Sequence, residues 1–134
     1  MRVDYYLLKS ESLNASQSFL IRFIEKIYHK QHPIQIQFES EEDCTTWNDL
    51  LWTYDAASFL PHDQIAPTIL KIECPYLTQS WVGLNLSLKP WLVNLPSRII
   101  EIVFNNSTHR EQQRLNYKSY QNQKFDIMIH NLTI

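Results

Sequence analysis

The chain has 134 residues, 44% of them apolar, and a net charge of −2. It is long enough to bury a core in one compact domain spanning residues 1–134, and it lacks the basic excess of a duplex-binding protein, which argues against direct, strong nucleic-acid binding. Its single glycine, Gly83, leaves no G-x-G-x-x-G or Walker loop to cradle a phosphate, and no apolar run approaches the roughly 18 residues of a membrane span.

Asp4 sits where a signal peptide would need its apolar core, so a cytoplasmic protein is expected. Cys44 and Cys74 form no C-x-x-C pair and read as reduced thiols. The sequons at Asn14, Asn85, Asn106 and Asn131 are then chance matches.

Val3 to Leu8 reads as a buried first strand. Phe19, Leu20, Phe23, Ile24, Ile27 and Tyr28 follow at helical spacing, with Arg22, Glu25, Lys26 and Lys30 on the other side, and Pro33 stops the helix. Ile34–Phe38 alternates with period two and makes a second strand. Ser40 can cap a helix carrying Cys44, Trp47, Leu50, Leu51 and Tyr54. Ile69–Ile72, Val82–Leu86 and Ile99–Phe104 are three further strands. Thr108 to Glu111 has the capping-box form and opens a last helix through about Tyr120. Phe125, Ile127 and Ile129 then alternate as an edge strand. Helices interleaved with strands predict an α/β fold, a largely parallel sheet flanked by helices.

Four constellations bear on function. His29 and His32 straddle a helix end without a Cys or carboxylate at ligand spacing, so no metal or other cofactor is expected. Asp55, His62 and Asp63 are the acid–base candidates of a small hydrolase or nuclease; the adjacency of His62 and Asp63 is a poor start for a dyad, whose members usually converge from separate elements. The run Leu51 to His62 carries Trp52, Tyr54, Phe59, Leu60 and Pro61 past the expected end of a helix. Such a segment either anchors a partner or folds back into the core, and composition does not separate the two.

On the last helix Arg110, Arg114, Tyr117 and Lys118 fall at i, i+4, i+7 and i+8 and share a face. The ordinary reading is a solvated helix side; the alternative is a site for an anion such as a carboxylate.

Taken together, Leu-Trp-x-x-x-x-x-Ser-Phe-Leu-Pro-His from Leu51 to His62, the opening Tyr5-Tyr6-Leu7-Leu8 and the late Arg114-x-x-Tyr117-Lys118-x-Tyr120 resemble the chi subunit of the bacterial DNA polymerase III holoenzyme. The resemblance implies a nucleotide-binding-like topology that binds no nucleotide, and a non-catalytic role with two partners. One is the psi subunit, which links chi to the clamp loader, at Trp52, Phe59, Leu60, Pro61 and His62. A helicase is implied to compete for that surface. The other is the acidic, Phe-terminated C-terminal tail of single-stranded DNA-binding protein, at Arg110, Arg114, Tyr117 and Lys118. The chain departs from enteric relatives in having Gln121 where they carry a basic residue, a short stretch from Glu73 to Trp81, and no glycine near Lys124.

Overall fold

The computed structural model describes residues 1–30, 32–53, 60–73 and 81–131. Its centre is a seven-stranded sheet made of β1 (Arg2–Leu7), β2 (Ile34–Phe38), β3 (His62–Ala66), β4 (Ile69–Ile72), β5 (Val82–Leu86), β6 (Arg98–Val103) and β7 (Asp126–Asn131), in the order β3-β4-β2-β5-β6-β1-β7. The run from β2 through β5, β6 and β1 to β7 is parallel throughout, and β4 is antiparallel to both of its neighbours. The α/β expectation therefore holds.

Side-chain alternation along β1 divides the molecule into two layers. Leu8, with Tyr6 packed against it, joins the larger core, where helices α1 (Gln17–His29) and α2 (Glu41–Thr53) place Leu20, Ile21, Ile24, Cys44 and Trp47. Val3 and Tyr5 face the other way, into a smaller core with Trp91, Ile99 and Tyr120 beneath helix α3 (Ser107–Asn122). Two helices on one face and one on the other make the fold doubly wound.

In such sheets ligands usually bind where the strand order reverses, at the C-terminal ends of the parallel strands. That point lies here between β1 and β6. The two loops leaving it are stitched together: Asn105 N donates to the Ser10 carbonyl (2.8 Å), and the Asn105 and Asn106 amides donate to the carbonyls of Lys9 (3.3 Å) and Glu11 (2.7 Å). One backbone bond and two side-chain amide bonds thus cross the crevice in which a nucleotide-binding relative of this topology would hold its ligand.

Gly83 has a packing reason. A Cβ there would stand 2.6 Å from Pro96 Cγ and 3.0 Å from the Trp91 ring, so the β5–β6 connection can lie flat on β5 only because the side chain is absent.

Two local expectations are corrected. The last helix is capped not by a Thr108–Glu111 box but by Asn106, whose extended backbone lets its side-chain oxygen accept from His109 N at 2.7 Å. Asparagine is among the strongest N-caps and stands directly at the exit of β6, so Thr108 falls inside the first turn. Strand β3 was not expected: His62-Asp63-Gln64-Ile65-Ala66 has little β-branched or aromatic content, and its pairing with β4 decides its state. At the other helix start, Ser40 Oγ does accept from Asp43 N (3.1 Å) as expected.

Candidate functional site

Helix α3 does not lie flush on the sheet at its outer side. Between it and the ends of β1 and β7 runs an open groove of about 780 Å³. All four residues singled out on the last helix, Arg110, Arg114, Tyr117 and Lys118, line it, together with Gln121. Their common face, read from spacing, therefore borders a concavity rather than open solvent.

The opposite wall and floor are apolar and aromatic: Tyr5 and Leu7 from β1, Val103 from β6 and Ile129 from β7. Sequence reasoning missed this wall, because its members are brought together only by parallel pairing of strands far apart in the chain. Ile129 is 59% exposed and Leu115, on the helix, 56% exposed, so the groove offers apolar surface under a cationic rim.

The rim cations differ in what holds them. The Arg110 guanidinium donates to the Asn105 side chain, and Arg114 pairs with Glu111 one turn back at 2.6 Å. Both partners of the second pair are largely exposed, so it is weak and exchangeable. Lys118 makes no ion pair among the described residues. Tyr117 is half-buried and packs its ring on Tyr5 at 5.9 Å. Burial, with Glu101 and Tyr117 adding, pushes the Tyr5 phenol up, so it stays a neutral O–H group.

The helix is fixed beneath this rim by a buried polar network. Glu101 on β6 accepts from Tyr120 (2.5 Å), Asn85 (2.8 Å) and Gln113 (3.2 Å), and Tyr120 also accepts from Trp91 N (2.8 Å). Burial pushes the Glu101 carboxyl up to about 7, against the pull of these three donors. His109 ties down the first turn by accepting from Phe104 N (3.0 Å), and burial holds its pKa below the usual range.

The described parts of the Leu51 to His62 segment, residues 51–53 and 60–62, lie toward the opposite edge of the sheet, at β3. Residues 54–59 fall outside the described residues, so Tyr54, Asp55 and Phe59 are not placed. Leu60 and His62 are buried at 3% and 4% exposure, and Trp52 is 45% exposed. The His62 ring nitrogens lie 2.6 Å from the Leu60 carbonyl and 3.0 Å from that of Asn48, which fastens the start of β3 to α2. Trp52 stacks on the same imidazole at 4.2 Å. Leu60 and His62 thus shape this surface from within, while Trp52 and the half-buried Pro61 reach solvent.

Asp63, next to His62, is exposed while His62 is buried, as alternation along a strand dictates, so the two do not converge on a common site. Among the described residues no three His, Cys, Asp or Glu side chains are grouped to hold a metal ion, and no helix is long and apolar enough to cross a membrane.

A doubly wound α/β domain with bonds across its switch point, an aromatic groove and a cationic rim belongs to the class of domains built on a nucleotide-fold scaffold. The family model of the DNA polymerase III chi subunit, HolC, matches residues 1–128, and the chain belongs to that family. It is also 26% identical over 137 residues to the DNA polymerase III subunit chi of Pseudomonas aeruginosa, an alignment covering 98% of this chain and 96% of that protein. Membership makes it an accessory subunit in DNA replication.

Proposed function

We propose that the chain is a non-catalytic adaptor of the clamp-loader assembly, which holds the psi subunit at one edge of its sheet and the acidic C-terminal tail of single-stranded DNA-binding protein at the other. The observation that carries the tail assignment is the groove under α3, in which Arg110, Arg114, Tyr117 and Lys118 surround an apolar floor. A chain end of acidic residues followed by phenylalanine needs this combination: cations for the carboxylates and a hydrophobic slot for the ring. The guanidinium of Arg114 exchanges Glu111 for the incoming carboxylate, and Tyr117 packs on the phenylalanine.

The psi-facing surface is centred on Trp52 and Pro61, with Leu60 and His62 supporting them from inside; Phe59 joins it by the resemblance alone. A helicase docking on the same residues would exclude psi. The protein works in the cytoplasm, at the replisome.

Titration with an acidic peptide ending in phenylalanine tests the first half. Binding in the micromolar range that weakens with salt is expected, with Arg114→Ala and Tyr117→Ala each losing about tenfold. Unchanged affinity in both variants would remove the site assignment. For the second half, psi is co-expressed with Trp52→Ala or Phe59→Ala; undiminished capture by both would place the interface elsewhere.

A further inference from the structure

Among the described residues, one buried side-chain polar atom lining the groove has no partner. Tyr5 is 3% exposed, and its hydroxyl is buried without a hydrogen bond among the described residues. A buried, unpaired hydroxyl destabilises the fold that contains it, and native structures rarely keep one without a use. The obvious internal acceptor is already engaged, since the Glu101 carboxyl takes Tyr120, Asn85 and Gln113. Tyr5 is held rigidly, edge-on to Tyr120 at 6.4 Å and tilted against Tyr117 at 5.9 Å. It also lines the groove, with Tyr117 as its neighbour on the helix side.

A second groove, of about 820 Å³, lies on the α1 side of the sheet, lined by Arg22, Lys26, Lys30 and the rings of Phe19 and Phe23. Its unpaired atom, His32 Nδ1, belongs to a residue only partly buried, and nothing there selects one kind of occupant over another. The α3 groove has both an unpaired donor and a rim whose charge selects acidic chains.

We infer that the Tyr5 hydroxyl is a donor kept in reserve for the occupant of the α3 groove, meeting a carboxylate or carbonyl oxygen at the end of an acidic, aromatic-terminated peptide. This rests on the tail-binding reading and adds to it a residue from the first strand. In the free protein Tyr117 packs on Tyr5, and the donor goes unused. When the terminal ring of the peptide enters, Tyr117 yields space to it, and the peptide's terminal oxygen atoms come within reach of the phenol. Cations at the rim attract the peptide; Tyr5, deeper in, distinguishes a chain end seated in the groove from acidic residues held loosely at its mouth.

Tyr5→Phe removes one oxygen atom and keeps the ring. Two opposite effects are expected from it: the free protein melts about 2–4 °C higher, because an unpaired buried group is gone, and the peptide binds about fivefold more weakly, because a hydrogen bond in the complex is lost. Arg114→Ala is measured alongside. If Tyr5→Phe binds as the wild type while Arg114→Ala loses its tenfold, the inference about Tyr5 is overturned and the groove reading stands. If neither variant loses affinity, the groove reading fails and takes the inference with it. A lower melting temperature for Tyr5→Phe also overturns it, since the hydroxyl would then be satisfied without a ligand. Repeating the titration with a C-terminally amidated peptide separates the two acceptors. A Tyr5→Phe loss that disappears identifies the terminal carboxylate, and one that persists identifies a backbone carbonyl.

Discussion

Arg114 and Glu111 show how a residue proposed to bind a partner can be occupied in the free protein without being lost to that role. Their contact is short at 2.6 Å, yet both side chains are 70% exposed, so solvent and salt screen it and it contributes little to stability. Any acidic ligand must displace Glu111, which also lines the groove and repels a second carboxylate. Glu111→Gln is therefore expected to tighten binding of the acidic peptide by about three- to fivefold at low salt, an effect that shrinks as salt is added. Isothermal titration at two ionic strengths measures it.

Glu101 sets a second expectation at the same scale. Its carboxyl is pushed up to about 7 by burial, from the ordinary glutamate value of 4.5. The folded protein thus keeps a proton that the unfolded chain has already released between pH 4.5 and about 7. Its contribution is complete below the lower limit and falls as pH rises across that window, by an amount on the order of 3 kcal/mol. Asp4 acts in the opposite sense and in another range. Burial pushes its carboxyl up, but hydrogen bonds from His130, Arg2 and Arg98 outweigh that and hold it below 3.8, so its contribution is lost only as pH falls below that value. Urea unfolding at pH 5 and pH 7.5 is expected to show the decline in the wild type and a flatter profile in Glu101→Gln, which stays neutral throughout.

The end of α3 explains one departure from the family pattern. Lys124 has φ of 60°, the left-handed region, and its N–H donates to the Gln121 carbonyl (2.9 Å) while Phe125 N donates to that of Tyr120 (3.2 Å). The Phe125 and Tyr120 rings stack at 5.9 Å. These are the two bonds and the hydrophobic contact of a Schellman motif, in which glycine is the favoured residue at the position Lys124 occupies. The glycine expected near Lys124 is thus missing from the one place where the backbone would use it. Lys124→Gly is expected to stabilise the protein by about 1 kcal/mol, read as a higher urea midpoint with no change in slope. The benefit is confined to the cap, because Lys124 does not line the groove.

At the scale of the molecule the two proposed interfaces lie far apart. β3 and β7 are the opposite edges of a seven-stranded sheet. Six inter-strand steps of about 4.8 Å separate them by roughly 29 Å. The scaffold between is a continuous hydrogen-bonded sheet. Tail peptide and psi are therefore expected to bind independently, with the peptide affinity changing less than twofold when psi is bound; a larger change would require a two-state element that joins the edges.

Much of this was legible in the residues themselves. Helical spacing places Arg110, Arg114, Tyr117 and Lys118 on one face, period-two alternation marks β2 to the residue, and the single glycine excludes a phosphate loop, because each of these depends on neighbours within a few positions. The tertiary structure decided what those local features face. Tyr5, Leu7 and Ile129 become one wall only through parallel pairing of β1 with β7, about 120 positions apart in the chain. His62 turns inward because β3 pairs with β4 and not because of its own preference. Local periodicity fixes which side chains share a side of an element; which sides meet is settled by burial of apolar surface between distant segments, and that is how an ordinary cationic helix face here becomes the rim of a groove.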